Sequence, residues 1–145
     1  MIQVKFKRVG NHHLPLPTKG SKDAAAWDIR SVENVKLKWG FFAHKMVSTG
    51  FSVEIPKGYE MLIVPRSGLS SKGVIISNSP GTIDSDYRGI VKILMLNTKY
   101  KTYKIKKGER IAQLKLRKVL EWEPIEVDEL SITERGVGGF GSTGK

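Results

Sequence analysis

Apolar and polar residues alternate along most of the chain with a period of two, the pattern of β-strands that bury one face. In the first segment, Ile2, Val4 and Phe6 alternate with polar residues and predict a half-buried strand. Further strands are predicted at Val35–Leu37, Lys45–Ile55, Tyr59–Val64, Gly73–Ile76, Ile90–Asn97, Tyr103–Ile105, Arg110–Val119 and Pro124–Val127. Turns rich in Pro and Gly separate these segments. The chain is therefore predicted to form a closed or two-sheet antiparallel β fold.

The pattern predicts one helix, and it is short. Segment Ser67–Lys72 begins after Pro65, Ser67 carries the hydroxyl of an N-cap, and Gly73 follows the last turn. No linker or internal repeat precedes the C-terminal glycines. The sequence predicts one β domain over residues 1–130 and a flexible Gly-rich segment over residues 131–145.

Composition narrows the class of protein. The 145 residues include no cysteine, which excludes disulfides and thiolate chemistry. No apolar run is long enough to cross a membrane and the first residues do not resemble a signal peptide, so we expect a soluble intracellular protein with no membrane contact. It would be cytoplasmic, nuclear as well if eukaryotic, or in the host cytoplasm if viral. His12, His13 and His44 lack the spacing of a metal site, and a structural zinc is not expected. The net charge of +11 favours an anionic partner: nucleic acid, an acidic surface or a polyphosphate.

Part of this charge lies in one basic cluster. Its residues are Lys99, Lys101, Lys104, Lys106, Lys107 and Arg110. A charge run of this kind is most simply a solvated face. The alternative is an auxiliary contact with nucleic acid or protein.

The C-terminal glycines satisfy two phosphate-binding patterns in part. Gly136-x-Gly138-x-x-Gly141 fits a dinucleotide fingerprint, and Gly139-x-x-x-x-Gly144-Lys145 fits most of a P-loop. Both patterns act by opening a helix, and no helix is expected to follow here. The segment is therefore expected to be a tail with bare amides, an arginine and Phe140, suited to closing over a polyanion held elsewhere. The simpler alternative is a disordered end.

Four polar clusters interrupt the apolar strands. They are Ala25–Ile29 with Asp28 inside it, Pro65–Ser70, Asn78–Gly89 and Arg110–Leu114. In the second cluster an arginine, a hydroxyl and free amides meet at a turn, which suits an anion. In the third, Pro80-Gly81 forms a tight turn, so that Asn78 and Asp84 are expected to face each other across a hairpin. Taken singly, each cluster also fits a surface ion pair, a turn cap or ordinary packing.

Together and in this order, the clusters resemble the motifs of the trimeric dUTPase family across nearly the whole chain. The five matching motifs are Ala25–Ile29, Pro65–Ser70, Gly81–Gly89, Arg110–Leu114 and Arg135–Gly144. The resemblance implies a jelly-roll-like β-barrel with one short helix, assembled as a homotrimer. It also implies Mg²⁺-dependent hydrolysis of dUTP to dUMP and pyrophosphate, which limits uracil incorporation into DNA and supplies dUMP for dTMP synthesis. The glycine tail of one subunit would close a site that lies between two others.

The resemblance also assigns roles to residues. Asp84 would be the general base that activates a water for attack on the α-phosphorus. Tyr87 would pack under the deoxyribose, and Asp28 would support the site without taking part in the chemistry. Substrate-binding residues would be Arg66, Ser67, Gly68 and Gln113 at the phosphates, Asn78, Gly81, Thr82, Ile83 and Lys92 at uracil, and Arg135, Phe140, Gly141 and Ser142 from the tail. Mg²⁺ would be held by the triphosphate and water, with no direct protein ligand.

Three positions depart from the family pattern. Ala26 stands where glycine is usual, Trp27 replaces a commoner tyrosine, and Ile90 stands where an acid is frequent. Two rival functions remain open from the sequence. One is the function of dCTP deaminase, a related enzyme that shares the fold but needs a catalytic glutamate. The other is a non-enzymatic β-barrel that binds nucleic acid through basic and aromatic residues.

Overall fold

The computed structural model describes residues 1–40 and 43–139. Over these ranges the strands and the helix are β1 Lys5–Arg8, β2 Thr18–Lys19, β3 Trp27–Arg30, β4 Val35–Leu37, β5 Lys45–Glu54, β6 Tyr59–Val64, α1 Ser67–Ser70, β7 Val74–Ile76, β8 Gly81–Ile83, β9 Ile90–Asn97, β10 Tyr103–Ile105 and β11 Arg110–Lys118. The predicted all-β class with one short helix is confirmed. In this part of the chain, no helix is long and apolar enough to span a membrane.

Two antiparallel sheets enclose the core in a jelly-roll-like arrangement. One sheet has the order β1-β5-β9-β7 and the other has the order β2-β3-β11-β6-β8, while β4 and β10 form a separate two-stranded sheet. Alternation puts Val91, Ile93 and Met95 of β9 inside, where they belong to one core cluster with Ile111 and Leu114 of β11. The two sheets thus bury their apolar faces against each other.

Most strand predictions are confirmed to within a residue or two, but four details are wrong. The first strand is Lys5–Arg8 rather than the segment that starts at Ile2. The predicted strand Pro124–Val127 is absent, and its apolar side chains are exposed. A strand needs a neighbour to satisfy its backbone groups, and this segment has none within the described chain. The N-cap is Arg66, which makes no side-chain cap bond, and Ser67 is the first helical residue.

The predicted hairpin around Pro80 is not formed. Strand β7 pairs with β9, whereas β8 pairs with β6, so the two segments beside the turn lie in different sheets. The turn, which contains the cis Ser79–Pro80 peptide, therefore carries the chain from one sheet to the other. Residues from both sheets consequently meet at this corner of the fold.

Candidate functional site

A cavity of about 490 Å³ opens where the two sheets meet beside this turn. Seven of the predicted site residues line it: Asn78, Gly81, Thr82, Ile83, Asp84, Tyr87 and Lys92. Met46, Ile63, Ile90 and Val91 complete the wall with apolar side chains. The volume lies in the usual range for small-molecule sites, roughly 300–1,000 Å³, and a few polar groups on an apolar lining are typical of them.

Strand β8 sets which side chains reach this opening. Gly81 and Ile83 are buried, while Thr82 and Asp84 are exposed, as the period of two requires. Asp84 follows the last residue of β8, and its backbone carbonyl accepts the Tyr87 N–H at 3.2 Å. Within the described residues no cation pairs with its carboxylate. The carboxylate is therefore open to solvent at the mouth of the cavity.

Two glycines leave room for the polar side chains of the cavity. A Cβ on Gly81 would lie 3.2 Å from Asn78 Nδ2. A Cβ on Gly89 would lie 2.3 Å from Tyr87 Oη and 2.5 Å from Cζ, and no side chain fits there without moving the ring. The Tyr87 hydroxyl donates to the Ile90 carbonyl at 3.2 Å, which holds the ring over Gly89 with part of its surface exposed. Gly89 is a site residue that sequence reasoning included in a motif without assigning it a role.

A second cluster forms around Asp28, which is 3% exposed. Its Oδ1 accepts from Arg66 Nε at 3.0 Å and from Gln113 Nε2 at 3.2 Å, and its Oδ2 accepts from Arg110 Nη1 at 2.9 Å. Gln113 on β11 lies directly across the ladder from Asp28 on β3, while Arg66 follows the end of β6. A buried carboxylate must be paired and hydrogen-bonded, and three donors satisfy it here.

The Asp28 cluster also orients Arg66 as a binding group. Arg66 Nε is bonded to Asp28 and Nη1 donates to the Arg110 carbonyl at 3.2 Å, which leaves Nη2 available. The adjacent residues Ser67 and Gly68 are exposed, and in the described chain their amides donate to no backbone carbonyl. A fixed guanidinium beside free amides is a suitable anion site. Sequence reasoning missed Arg110, although an acid inside an apolar strand already required a cation.

Within the same chain, the described tail residues contribute neither to the cavity nor to the Asp28 cluster. Arg135 is exposed, and its Nε donates to the nearby Gly138 carbonyl at 2.8 Å. No residue from 119 to 139 lines the cavity. The predicted contacts of Phe140, Gly141 and Ser142 lie outside the described residues. The described chain thus carries an open cavity and a separate polar cluster around Asp28.

The chain is similar to known proteins over nearly its whole length. A family model described as dUTPase matches residues 12–144. A deoxyuridine 5'-triphosphate nucleotidohydrolase of Nautilia profundicola is 49% identical over 145 residues, which cover 99% of this chain and 100% of the relative. The dUTPase of Staphylococcus bacteriophage 80alpha, solved with the dUTP analogue dUPNHPP, has a TM-score of 0.87 at 32% identity and 99% coverage of both chains. A mutant dUTPase from phage phi11 of S. aureus, described with a structural Mg(II) ion, has a TM-score of 0.77 at 27% identity over 88% of this chain and 97% of that chain.

Proposed function

The chain belongs to the dUTPase family and hydrolyses dUTP to dUMP and pyrophosphate, and from this premise we propose which residues carry out the reaction. The observation that supports the assignment most directly is a nucleoside-sized cavity lined by Asn78, Asp84 and Tyr87. Because dUTP is a cellular nucleotide, the enzyme is proposed to act inside the cell. The predicted identity and reaction are confirmed, and the residue roles below are proposals.

Asp84 is the proposed general base. Its exposed carboxylate takes a proton from a water molecule as that water attacks the α-phosphorus, and the bond from phosphorus to the bridging oxygen of pyrophosphate breaks. A carboxylate is a weak base near neutral pH. Most of the rate must therefore come from positioning the water and the triphosphate and from neutralising charge.

The turn from Asn78 to Ile83 is proposed to recognise uracil. The Asn78 amide and the backbone of β8 line the cavity and offer both donors and acceptors to the base. Cytosine would present an amino group where uracil has a carbonyl, and thymine would add a methyl group to a closely packed wall. Lys92, an exposed residue of β9, also lines the cavity and is proposed to lie near the base.

The ring of Tyr87 is proposed to pack beneath the deoxyribose. Its position over Gly89 is fixed by the bond to Ile90 and by the absence of a Cβ at residue 89. A ribose 2′-hydroxyl directed at this ring would collide with it. UTP is therefore expected to be a poor substrate.

Arg66, Ser67, Gly68 and Gln113 are the proposed phosphate-binding residues. Supporting this role, Asp28 holds the Arg66 guanidinium and the Gln113 amide from below, with hydrogen bonds of 3.0 and 3.2 Å. Asp28 is thus a positioning residue. Ala26 and Trp27 still leave it paired with its three donors, so the departures from the family pattern do not disturb this cluster.

Mg²⁺ is proposed to bind mainly through the triphosphate oxygens and water. In the described ranges, no group of three or more His, Cys, Asp or Glu side chains is placed to hold a metal ion. Mg²⁺ keeps several waters and commonly binds through substrate phosphates, so a substrate-held ion fits these residues. When bound, the ion neutralises charge on the triphosphate.

The active assembly is proposed to be a homotrimer that exchanges its C-terminal segments. Among the described residues after β11, six large apolar side chains are at least three-quarters exposed: Leu120, Trp122, Ile125, Leu130, Ile132 and Val137. The edge strand β1 also borders an open apolar groove of about 380 Å³. Exposed apolar surfaces of this extent favour association. The segment after β11 of one subunit is proposed to pack against the apolar surface of a neighbouring subunit. Residues 131–145 of the first subunit would then reach another subunit's cavity and act as a lid.

The assignment predicts the outcome of a four-nucleotide assay. With Mg²⁺ present, pyrophosphate should be released rapidly from dUTP and at most slowly from dTTP, dCTP and UTP, because the cavity excludes a 5-methyl, a 4-amino and a 2′-hydroxyl group. Pyrophosphate release is measured directly, and the dCTP reaction is also analysed for dUTP and dUMP. Formation of either uracil product from dCTP would favour the deaminase alternative. Equal turnover of dTTP would contradict recognition of the base by this cavity.

Asp28→Asn should lower kcat/KM for dUTP by about 10- to 100-fold, because the neutral amide releases Arg66 from its fixed position, and small misplacements have costs of this order. The unfolding free energy should also fall, by at most about 3 kcal/mol, since the partly buried Arg66 guanidinium loses its charged partner. Steady-state kinetics and thermal unfolding measure the two effects. Glu54→Gln, which breaks the exposed Lys5–Glu54 pair, is the matched control and should alter neither. Unchanged turnover in the Asp28 variant would contradict the positioning role.

A further inference from the structure

Two aromatic side chains are stacked on the surface at the end of the molecule that carries the small sheet. The rings of Trp39 and Tyr100 lie 4.1 Å apart, centroid to centroid, and 20° from parallel. Trp39 is 46% exposed, and Tyr100 is 84% exposed although one face of its ring is covered by Trp39. Neither residue lines the dUTP cavity. The outer face of Tyr100 is thus presented to solvent on a backing ring.

A buried asparagine holds the two loops that carry this pair. Asn97 is 1% exposed, and its Nδ2 donates to the Leu37 carbonyl at 3.0 Å and to the Lys101 carbonyl at 2.9 Å. Its Oδ1 accepts the Lys99 N–H at 3.1 Å. One side chain therefore ties the segment before Trp39 to the turn on both sides of Tyr100. The two backbone segments that carry the rings are thus joined before any partner binds, which reduces the entropy lost on binding.

The surface beside the pair is positively charged. Lys36 on β4 and Lys104 on β10 face each other directly across the ladder, and both are exposed. Like charges in this arrangement are destabilising, so a nearby polyanion would relieve the repulsion. Other exposed lysines on these two strands and their flanking turns are Lys38, Lys99, Lys101, Lys106 and Lys107.

Glu109, the acid nearest this cluster in sequence, forms no salt bridge with its lysines within the described residues. Glu109 accepts the Tyr103 hydroxyl at 2.8 Å and the Lys106 backbone N–H at 2.9 Å. Burial, followed by this hydrogen bond, raises the pKa of Tyr103 to about 12, so the hydroxyl stays a donor. Across the described residues, none of the lysines just named forms a salt bridge. Their charge is available to an external anion.

We propose that this surface, formed by the Trp39–Tyr100 stack and the lysines around it, binds single-stranded nucleic acid. A base stacks on the outer face of Tyr100, and the lysines contact the phosphates on either side. Base–aromatic stacking on a positively charged groove is the usual mode of single-strand binding without sequence preference. In a duplex the bases stay paired, so none of them can stack on the ring of Tyr100. The surface is separate from the dUTP site and does not depend on the proposed catalytic roles.

Binding of a fluorescent thymidine oligomer to the full-length protein tests the proposal. Thymine is used because its methyl group keeps it out of the uracil cavity. Anisotropy should show binding at low salt that is stronger than for a duplex of the same length, with log K falling by about 0.7 per phosphate contacted as log salt rises. Tyr100→Ala should weaken binding about tenfold, the order expected for one lost base stack, while Tyr100→Phe should retain it.

Charge variants separate this surface from general attraction to a basic protein. The double variant Lys36→Gln/Lys104→Gln should reduce the salt slope by about 1.4, twice the value for one phosphate. Lys57→Gln/Lys118→Gln makes the same charge change at exposed lysines outside the β4–β10 sheet and should have a smaller effect. Turnover of dUTP should be the same in all these variants, which keeps the result independent of the catalytic proposal.

Several results would overturn the proposal. They are equal affinity for duplex and single strand, unchanged binding by Tyr100→Ala, or equal losses in the two lysine pairs. A change in molecular mass of Tyr100→Ala by light scattering would instead identify the surface as a contact between copies of the chain. Binding of polyglutamate that depends on Tyr100, without binding of the oligomer, would identify an acidic protein partner.

Discussion

Asp84→Asn should bind dUTP nearly as well as the unaltered enzyme and hydrolyse it about a thousandfold more slowly. An amide has the size of the carboxylate but cannot accept the proton of the attacking water, and loss of a general base costs roughly 10²- to 10⁴-fold. The fold should be unaffected, because the side chain is exposed and Asp84 contributes only its backbone carbonyl to the turn. Pyrophosphate release gives the turnover, and calorimetry with a non-hydrolysable dUTP analogue gives the affinity.

Asp86→Asn is the matched control for this experiment. Asp86 is also an exposed carboxylate, two residues along the same loop, but it does not line the cavity. The Asp86→Asn variant should lose little activity, because the substitution removes the same charge but leaves the proposed base, Asp84, in place. Near-normal turnover by Asp84→Asn would exclude this residue as the base. Equal losses in both variants would instead indicate a general effect of loop charge on the triphosphate.

Deletion of residues 134–145 should leave a folded assembly whose hydrolysis of dUTP is reduced at least a hundredfold. The deleted residues include Arg135 and Phe140, which are proposed to reach the phosphates and the base, and closure of a lid completes many sites of this kind. The fold of the core should be unchanged by this deletion, because residues 134–137 are exposed and no described residue beyond 118 belongs to a strand. Thermal unfolding and light scattering check the fold and the assembly, and pyrophosphate release gives the activity.

A shorter deletion of residues 143–145 is the control for this truncation and should retain more activity, because Arg135, Phe140, Gly141 and Ser142 remain. Full activity in the longer deletion would contradict the lid. Loss of the folded assembly would show that the segment is structural, and Arg135→Gln combined with Phe140→Ala would then test the lid without shortening the chain.

Mixing two inactive variants tests whether the tail acts between subunits. One variant carries Asp84→Asn with an intact tail, and the other lacks residues 134–145 but keeps Asp84. Dissociation and joint reassembly would produce sites in which an intact tail closes over an intact Asp84 of another chain. Recovery of activity would support exchange. Activity no higher than the sum of the separate variants would mean that each tail serves the Asp84 of its own chain.

Local patterns predicted the strands well because the alternation of buried and exposed residues is a property of each strand. Strands Val35–Leu37, Tyr59–Val64, Ile90–Asn97 and Tyr103–Ile105 have the predicted bounds. The same pattern failed at Pro124–Val127 because apolar alternation also occurs in a segment whose partner is not in the described chain. The alternation of apolar and polar residues indicates which face of a strand is to be buried, but it does not identify the segment that packs against that face.

For the site as well, some features could be predicted from the sequence and others could not. Resemblance to known motifs named seven of the residues that line the cavity, whereas Met46, Ile63, Ile90 and Val91 were not among the predicted site residues. The pairing of Asp28 with Arg66, Arg110 and Gln113 could not be read from the chain, because these donors lie 38 to 85 residues away along the sequence. Only the ladder of β3 with β11 and the end of β6 bring them within hydrogen-bonding distance.

By itself, the sequence determined the all-β class, the family and the chemical groups available for the reaction, since these depend on residue type and local spacing. The tertiary structure decided that the turn between Asn78 and Asp84 passes from one sheet to the other rather than forming a hairpin, so that residues of both sheets line the cavity. It also decided that Trp39 and Tyr100 form one surface, since Asn97 joins two loops that lie about 60 residues apart. Contacts of this kind depend on how the sheets pair and close, and no local pattern in the chain encodes that pairing.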